Sequence, residues 1–118
     1  MSYLLLIIEN EDRKGWPAEQ GQSRFEAMHR FKDGLSARGV LQACESLRND
    51  MGGTRIQLRG GKRIVSDGPF AEAKEMVGGF FLLDCGSRQE ALAIAAECPA
   101  AGWATVEVRE VGPCWPPD

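Results

Sequence analysis

Histidine occurs once in the 118 residues, at position 29. A lone imidazole excludes H-E-x-x-H and other multi-histidine metal sites. The four cysteines, Cys44, Cys85, Cys98 and Cys114, contain no C-x-x-C spacing, so neither zinc nor any other metal is expected. Three lie inside apolar runs and read as small core residues; Cys114 is the one expected at the surface. The glycine pairs 52–53, 60–61 and 78–79 form no G-x-G-x-x-G or phosphate-cradling loop, and G-x-S-x-G is missing. No cofactor is expected.

Charge of one sign is also lacking. Fourteen basic residues face seventeen acidic ones, a net charge of −3. Such a surface has no field to attract nucleic acid or anionic membrane. The opening apolar run, Tyr3 to Ile8, has no basic leader and is too short to span a bilayer. The expectation is a cytoplasmic protein with neither a membrane nor a nucleic-acid partner.

What is present reads as one α+β unit over residues 1–118, with no repeat or linker. The run Tyr3–Ile8 is a buried strand. Residues 9–21, with Trp16-Pro17, read as a loop. From Gln22 to Arg38 the pattern is helical. At about 100° per residue, Met28, Phe31 and Leu35 share an arc with Phe25 at its edge. Gly39 is placed to end that helix. Val40–Leu47 reads as a strand carrying one acid, Glu45. Arg55–Arg59 alternates with period two, and Gly60-Gly61 turns it onto Lys62–Val65 as a hairpin.

The bend Asp67-Gly68-Pro69-Phe70 follows, then a possible helical turn from Ala71 to Met76 and an apolar strand, Gly79–Asp84. Ser87 and Glu90 form an S-x-x-E capping box for a helix over Arg88–Cys98, which Pro99 stops. Thr105–Val111 is the last strand. Strand, helix, strand, hairpin, strand, helix, strand predicts a split βαβ arrangement: an antiparallel sheet with both helices on one face. The other face is then apolar, and a second copy is expected to cover it, through the strands near Leu5, Phe81 and Val108.

The run Val65-Ser66-Asp67-Gly68-Pro69-Phe70-Ala71-Glu72-Ala73-Lys74-Glu75, with Gly78-Gly79-Phe80-Phe81-Leu82, Glu90-Ala91-Leu92, Pro99-Ala100-Ala101 and Val106-Glu107-Val108-Arg109, resembles the DGPF branch of the YCII-related family. The opening Tyr3-Leu4-Leu5-Leu6-Ile7 fits as well. The resemblance implies a ferredoxin-like α+β fold that dimerises in the manner of dimeric α/β barrels. Relatives are often encoded beside extracytoplasmic-function sigma factors. Some members of the wider family carry a histidine near the start of the first helix, for which a histidine–aspartate pair has been suggested. Counting back from Gly39 puts that position at or next to His29.

Five residues carry the candidate chemistry. His29 has an ordinary pKa of about 6.5, suited to proton transfer; the bland reading is a hydrogen-bonded boundary residue. Asp67 is a carboxylate fixed by its loop, or else a cap on its own turn. Glu45 is a carboxylate within an apolar strand, or the solvent face of that strand. Phe70 is a ligand contact, or a core anchor of the loop. Lys32 falls between Phe25 and Met28 on the wheel, lining a cavity or snorkelling across apolar surface. Two functions follow: a cofactor-free acid/base enzyme acting on an unknown small molecule, or a non-catalytic ligand-binding or regulatory protein linked to sigma-factor signalling. A homodimer fits both.

Overall fold

The computed structural model describes residues 1–48, 53–68 and 75–116. Among the described residues six strands and two α-helices follow in chain order: β1 (Ser2–Glu9), α1 (Ala18–Ala37), β2 (Leu41–Ser46), β3 (Thr54–Arg59), β4 (Lys62–Asp67), β5 (Met76–Asp84), α2 (Arg88–Glu97) and β6 (Thr105–Glu110). The main sheet is antiparallel, with strand order β2-β5-β1-β6. β3 and β4 form a separate two-stranded hairpin. This is the ferredoxin-like α+β arrangement with an added hairpin that the element order predicts.

Local chemistry sets the helix ends. Pro17, with its fixed φ and no N–H, begins α1 four residues earlier than the periodicity suggests. At the other end Gly39 takes a φ of 73°. Its N–H donates to the Ser36 carbonyl and that of Val40 to the Leu35 carbonyl, a Schellman closure. In α2, Ser87 Oγ accepts from the Glu90 N–H at 3.1 Å, and the Glu90 carboxylate reaches back to the Gly86 N–H at 2.8 Å.

Alternation along β1 sends Tyr3, Leu5, Ile7 and Glu9 beneath the helices and Leu4, Leu6 and Ile8 to the opposite face. The core joins Tyr3, Leu5 and Ile7 to Phe81 and Leu83 of β5, Leu35 of α1, and Ala91, Ile94 and Ala95 of α2. The alanines leave room for α2 to lie close to the sheet. Phe31 meets Phe81 edge to face at 5.3 Å.

Two irregularities re-aim side chains. The β2–β5 register shifts between Leu41 and Ala43, so Leu41 and Cys44 both pack against the core. The β1–β5 register shifts between Ile7 and Ile8, opposite Gly78.

Three expectations change. Leu5 and Phe81 lie in the helix–sheet core and Val108 packs against it, so they do not form the open face. That face carries Leu4, Leu6, Phe80 and Leu82 instead, by register. The run Leu4–Ile8 is apolar at both parities, so sequence alternation could not choose between them. Met76 opens β5 and is not the end of a helical turn; residues 71–74, the rest of that turn, lie outside the described residues. Asp67 closes the β4 ladder opposite Thr54, because the Thr54 hydroxyl donates to its carboxylate at 2.8 Å.

All four cysteines are free thiols; Cys85 and Cys98 are buried and Cys114 exposed. No described helix is long and apolar enough to cross a membrane.

Burial raises the Cys44, Cys85 and Cys98 thiols above their ordinary 9.0. The unfolded chain therefore ionises first, and the stabilising share of these thiols is complete below pH 9.0 and lost above it. The melting temperature is expected to fall as pH rises past that value, and Cys98→Ala should flatten the fall in a calorimetric pH series. Leu83→Ala, at a fully buried position, should cost about 2–5 kcal/mol in urea unfolding.

Candidate functional site

Glu9 sits at the buried parity of β1, two residues beyond Ile7, and is only 3% exposed. A carboxylate there must be paired. A short 3-10 turn, Arg13–Gly15, begins four residues later. It brings the Arg13 guanidinium onto both Glu9 oxygens: Nε donates to Oε2 at 3.1 Å, and Nη2 donates to Oε1. Arg13 also donates to the Leu47 carbonyl at 2.8 Å and to the Gly78 carbonyl at 2.6 Å. That Gly78 oxygen further accepts the Leu47 N–H at 2.9 Å. One side chain thus joins β1, the end of β2 and the start of β5.

Gly78 must be glycine for this contact. A Cβ there would overlap Glu9 Oε1 and stand 2.6 Å from Arg13 Nη2. At Gly79 a Cβ would meet the Glu45 carbonyl at 2.8 Å. Both positions are needed for close approach, and neither has a positive φ.

Above this floor lies a cleft of about 530 Å³ between α1 and the sheet. Its floor is Ile7, Glu9, Cys44, Gly78, Gly79 and Phe81. One wall is the α1 stripe Arg24, Met28 and Lys32, spaced four residues apart and so aligned along one face. The other is Trp16 and Trp103. The Arg24 guanidinium lies 4.5 Å from the Trp16 ring centroid and 4.8 Å from that of Trp103. Glu11 fixes both neighbours: its Oε1 accepts from Trp16 Nε1 at 3.1 Å and from Arg24 Nη1 at 3.2 Å.

His29 borders the cleft on α1, parallel to Phe25 at 6.0 Å, with Nε2 3.7 Å from Asp33 Oδ2. More than half of its side chain is exposed. Lys32 stands one turn beyond Met28 and close enough to Cys44 to oppose, in part, the rise that burial imposes on that thiol. Glu45 borders the cleft from β2, but its pairing with Phe80 directs the side chain to the open face. Asp67 is exposed on the hairpin, bonded to Thr54, and does not line the cleft. Phe70 lies outside the described residues. The fold therefore gathers His29, Lys32 and the backbone of Glu45, and leaves Asp67 apart from His29.

Sequence reading missed Glu9, Arg13, Trp16, Arg24 and Trp103. A signal existed for two of them: Glu9 continues the buried parity of Tyr3, Leu5 and Ile7, and Arg24 sits one turn before Met28.

The YCII-related domain family model matches residues 1–114. The chain belongs to the YCII-related family. A YCII-related protein from Rhizobium meliloti (strain 1021), the uncharacterized protein R00369, is 31% identical over 112 residues, spanning 92% of this chain and 90% of its own. Among solved structures, the fold is similar to 5-chloro-2-hydroxyhydroquinone dehydrochlorinase (TftG) from Burkholderia phenoliruptrix AC1100 in complex with 2,5-dihydroxybenzoquinone. The TM-score is 0.53 at 18% identity, over 95% of this chain and 94% of that one. At that identity the likeness concerns the fold.

In this YCII-related chain the cleft presents apolar and indole surface together with the ammonium of Lys32 and the imidazole of His29. Removing one partner from a buried ion pair strands the other charge. Arg13→Met is expected to cost about 3–5 kcal/mol in chemical denaturation, and Gly78→Ala should lose comparable stability by displacing the same pair.

Proposed function

We propose that the cleft is the active site of a cofactor-free enzyme that moves a proton on a small ring compound bearing an acidic oxygen. One observation carries the reading: His29 and Lys32, one turn apart on α1, border the same cleft beside Met28 and Phe81. Lys32 holds the oxyanion, since a lysine ammonium is a compact point charge. His29 gives and takes the proton, with Asp33 behind its Nε2. Met28 and Phe81 carry the ring. The other charges of the cleft are already matched, Glu9 by Arg13 and Arg24 by Glu11. The size suits such a ligand. TftG, a dehydrochlorinase captured with a small quinone, supports a compound of that class.

The motif around Asp67-Gly68 supports the DGPF branch within the family. We read the chain as a single domain and as a homodimer whose open sheet faces, Leu4, Leu6, Phe80 and Leu82, are covered by the second copy. The second reading is a non-catalytic ligand-binding or regulatory module. It is favoured by the separation of Asp67, bonded to Thr54 on the hairpin, from His29 on the cleft.

The test uses 2,5-dihydroxybenzoquinone in D₂O. Binding is expected to quench Trp16 and Trp103, and mass spectrometry should show enzyme-dependent deuterium entry at ring carbon. His29→Gln should lower exchange at least 100-fold, within the usual range for a general acid or base, with binding retained. Lys32→Met should weaken binding about tenfold, roughly 1.4 kcal/mol. Binding without exchange would select the regulatory reading, and no binding would reject the proposed ligand class.

A further inference from the structure

Arg24 stands in a corner made by two indoles. The Trp16 and Trp103 rings lie 6.4 Å apart at 82° to each other, and the guanidinium carbon is 4.5 Å and 4.8 Å from their centroids. Three segments meet there: α1, the end of the Arg13–Gly15 turn, and the end of a second short turn, Pro99–Gly102. A cation over two aromatic rings is held by both. The Arg24 side chain is only 18% exposed.

Its counterion is held more loosely. Glu11 lies on the loop after β1, its side chain is 48% exposed, and it meets Arg24 through one contact, Nη1 to Oε1 at 3.2 Å. An ion pair with so exposed a partner contributes little, because water solvates the carboxylate almost as well. Arg24 lines the cleft and Glu11 does not. A guanidinium carries a fork of N–H donors suited to both oxygens of a carboxylate, and Glu11 engages that fork through one oxygen. The fold therefore fixes the cation and leaves its anion exchangeable.

The place of Arg24 defines the ligand it would select. Lys32 is eight residues further along α1, about 12 Å at a rise of about 1.5 Å per residue, and Met28 lies midway. The chain as a whole is −3. Yet with Glu9 matched by Arg13, the two charges that flank Met28 in the cleft are both positive.

We propose that Arg24 is a carboxylate hook with Glu11 as its exchangeable counterion, and that the ligand of the cleft is a ring compound bearing a carboxylate opposite its acidic oxygen. The carboxylate takes the fork of Arg24, the ring lies on Met28, and the ring oxygen meets Lys32. Glu11 releases Arg24 and keeps the Trp16 Nε1–H. The inference rests on the small-ring reading of the cleft and adds the second charged end of the ligand.

Calorimetric titration of the intact chain with 4-hydroxy-3-nitrophenylacetate and with its neutral amide, at a pH where both phenols are ionised, decides it. The probes share ring, arm and phenolate and differ in the carboxylate alone. The acid is expected to bind about tenfold more tightly, the scale of one charge-assisted contact. Arg24→Gln should bring the two affinities together, whereas a merely structural loss would weaken both alike. Glu11→Gln keeps an acceptor for Trp16 and removes the competing charge, so it should widen the acid preference about threefold, the scale of an exposed ion pair. It carries the test should Arg24→Gln not fold. Equal binding of acid and amide by the wild type, a preference that survives in Arg24→Gln, or one that fails to widen in Glu11→Gln would overturn the hook. Binding of 2,5-dihydroxybenzoquinone with neither probe bound would also overturn it and leave the small-ring reading standing. No binding of any of the three would overturn both.

Discussion

The Glu9–Arg13 ion pair is the contact on which the α1 side of the sheet depends. A carboxylate 3% exposed has no water to stabilise it, so the guanidinium must lie directly across it. Once there, Arg13 has donors left over, and they fall on the Leu47 and Gly78 carbonyls. Those carbonyls lie just beyond the end of β2 and near the start of β5, where the Leu47 N–H also bonds the Gly78 carbonyl. The register shift at Gly78 belongs to the same arrangement. It aims the carbonyl at Arg13 and leaves the space a side chain would need to Glu9.

This pairing explains why the cleft can be polar in composition and yet nearly neutral in effect. Glu9 and Arg13 cancel within the floor, and Glu11 and Arg24 cancel within the wall. The indoles of Trp16 and Trp103 hold Arg24 by its faces while Glu11 holds its edge, so the wall has little freedom to collapse into the cavity. Lys32 and His29 also border the cleft. They sit on a helix whose C-terminal end is locked by Gly39 and whose middle is anchored by Leu35 and Phe31. Side chains on such a rigid element can be held in place before a ligand arrives.

The two faces of the sheet divide the labour. The helix-covered face supplies the core and the floor of the cleft. The other face carries the half-buried Leu4, Leu6, Phe80 and Leu82, and the hairpin that leaves the sheet between β2 and β5 carries the exposed Ile56, Leu58, Ile64 and Val65. β1, β2 and β5 each present residues on both faces, the cleft side and the open side.

Much of the fold was legible in the chain itself. The capping box at Ser87 and Glu90, the stop at Gly39, the turn at Gly60-Gly61 and the order of the elements are governed by hydrogen bonds and periodicities spanning a few residues, and they formed where expected. The ferredoxin-like order followed from them. The site was less legible. His29, Lys32 and Glu45 were singled out and do border one cleft, but Asp67 was drawn to Thr54 by the hairpin ladder and never meets His29. Glu9 read as the end of a strand and became the charge that organises the floor. Tertiary structure alone decided these points. In a run apolar at both parities, only packing selects the face that meets the helices, and a one-residue register shift then determines which distant groups converge.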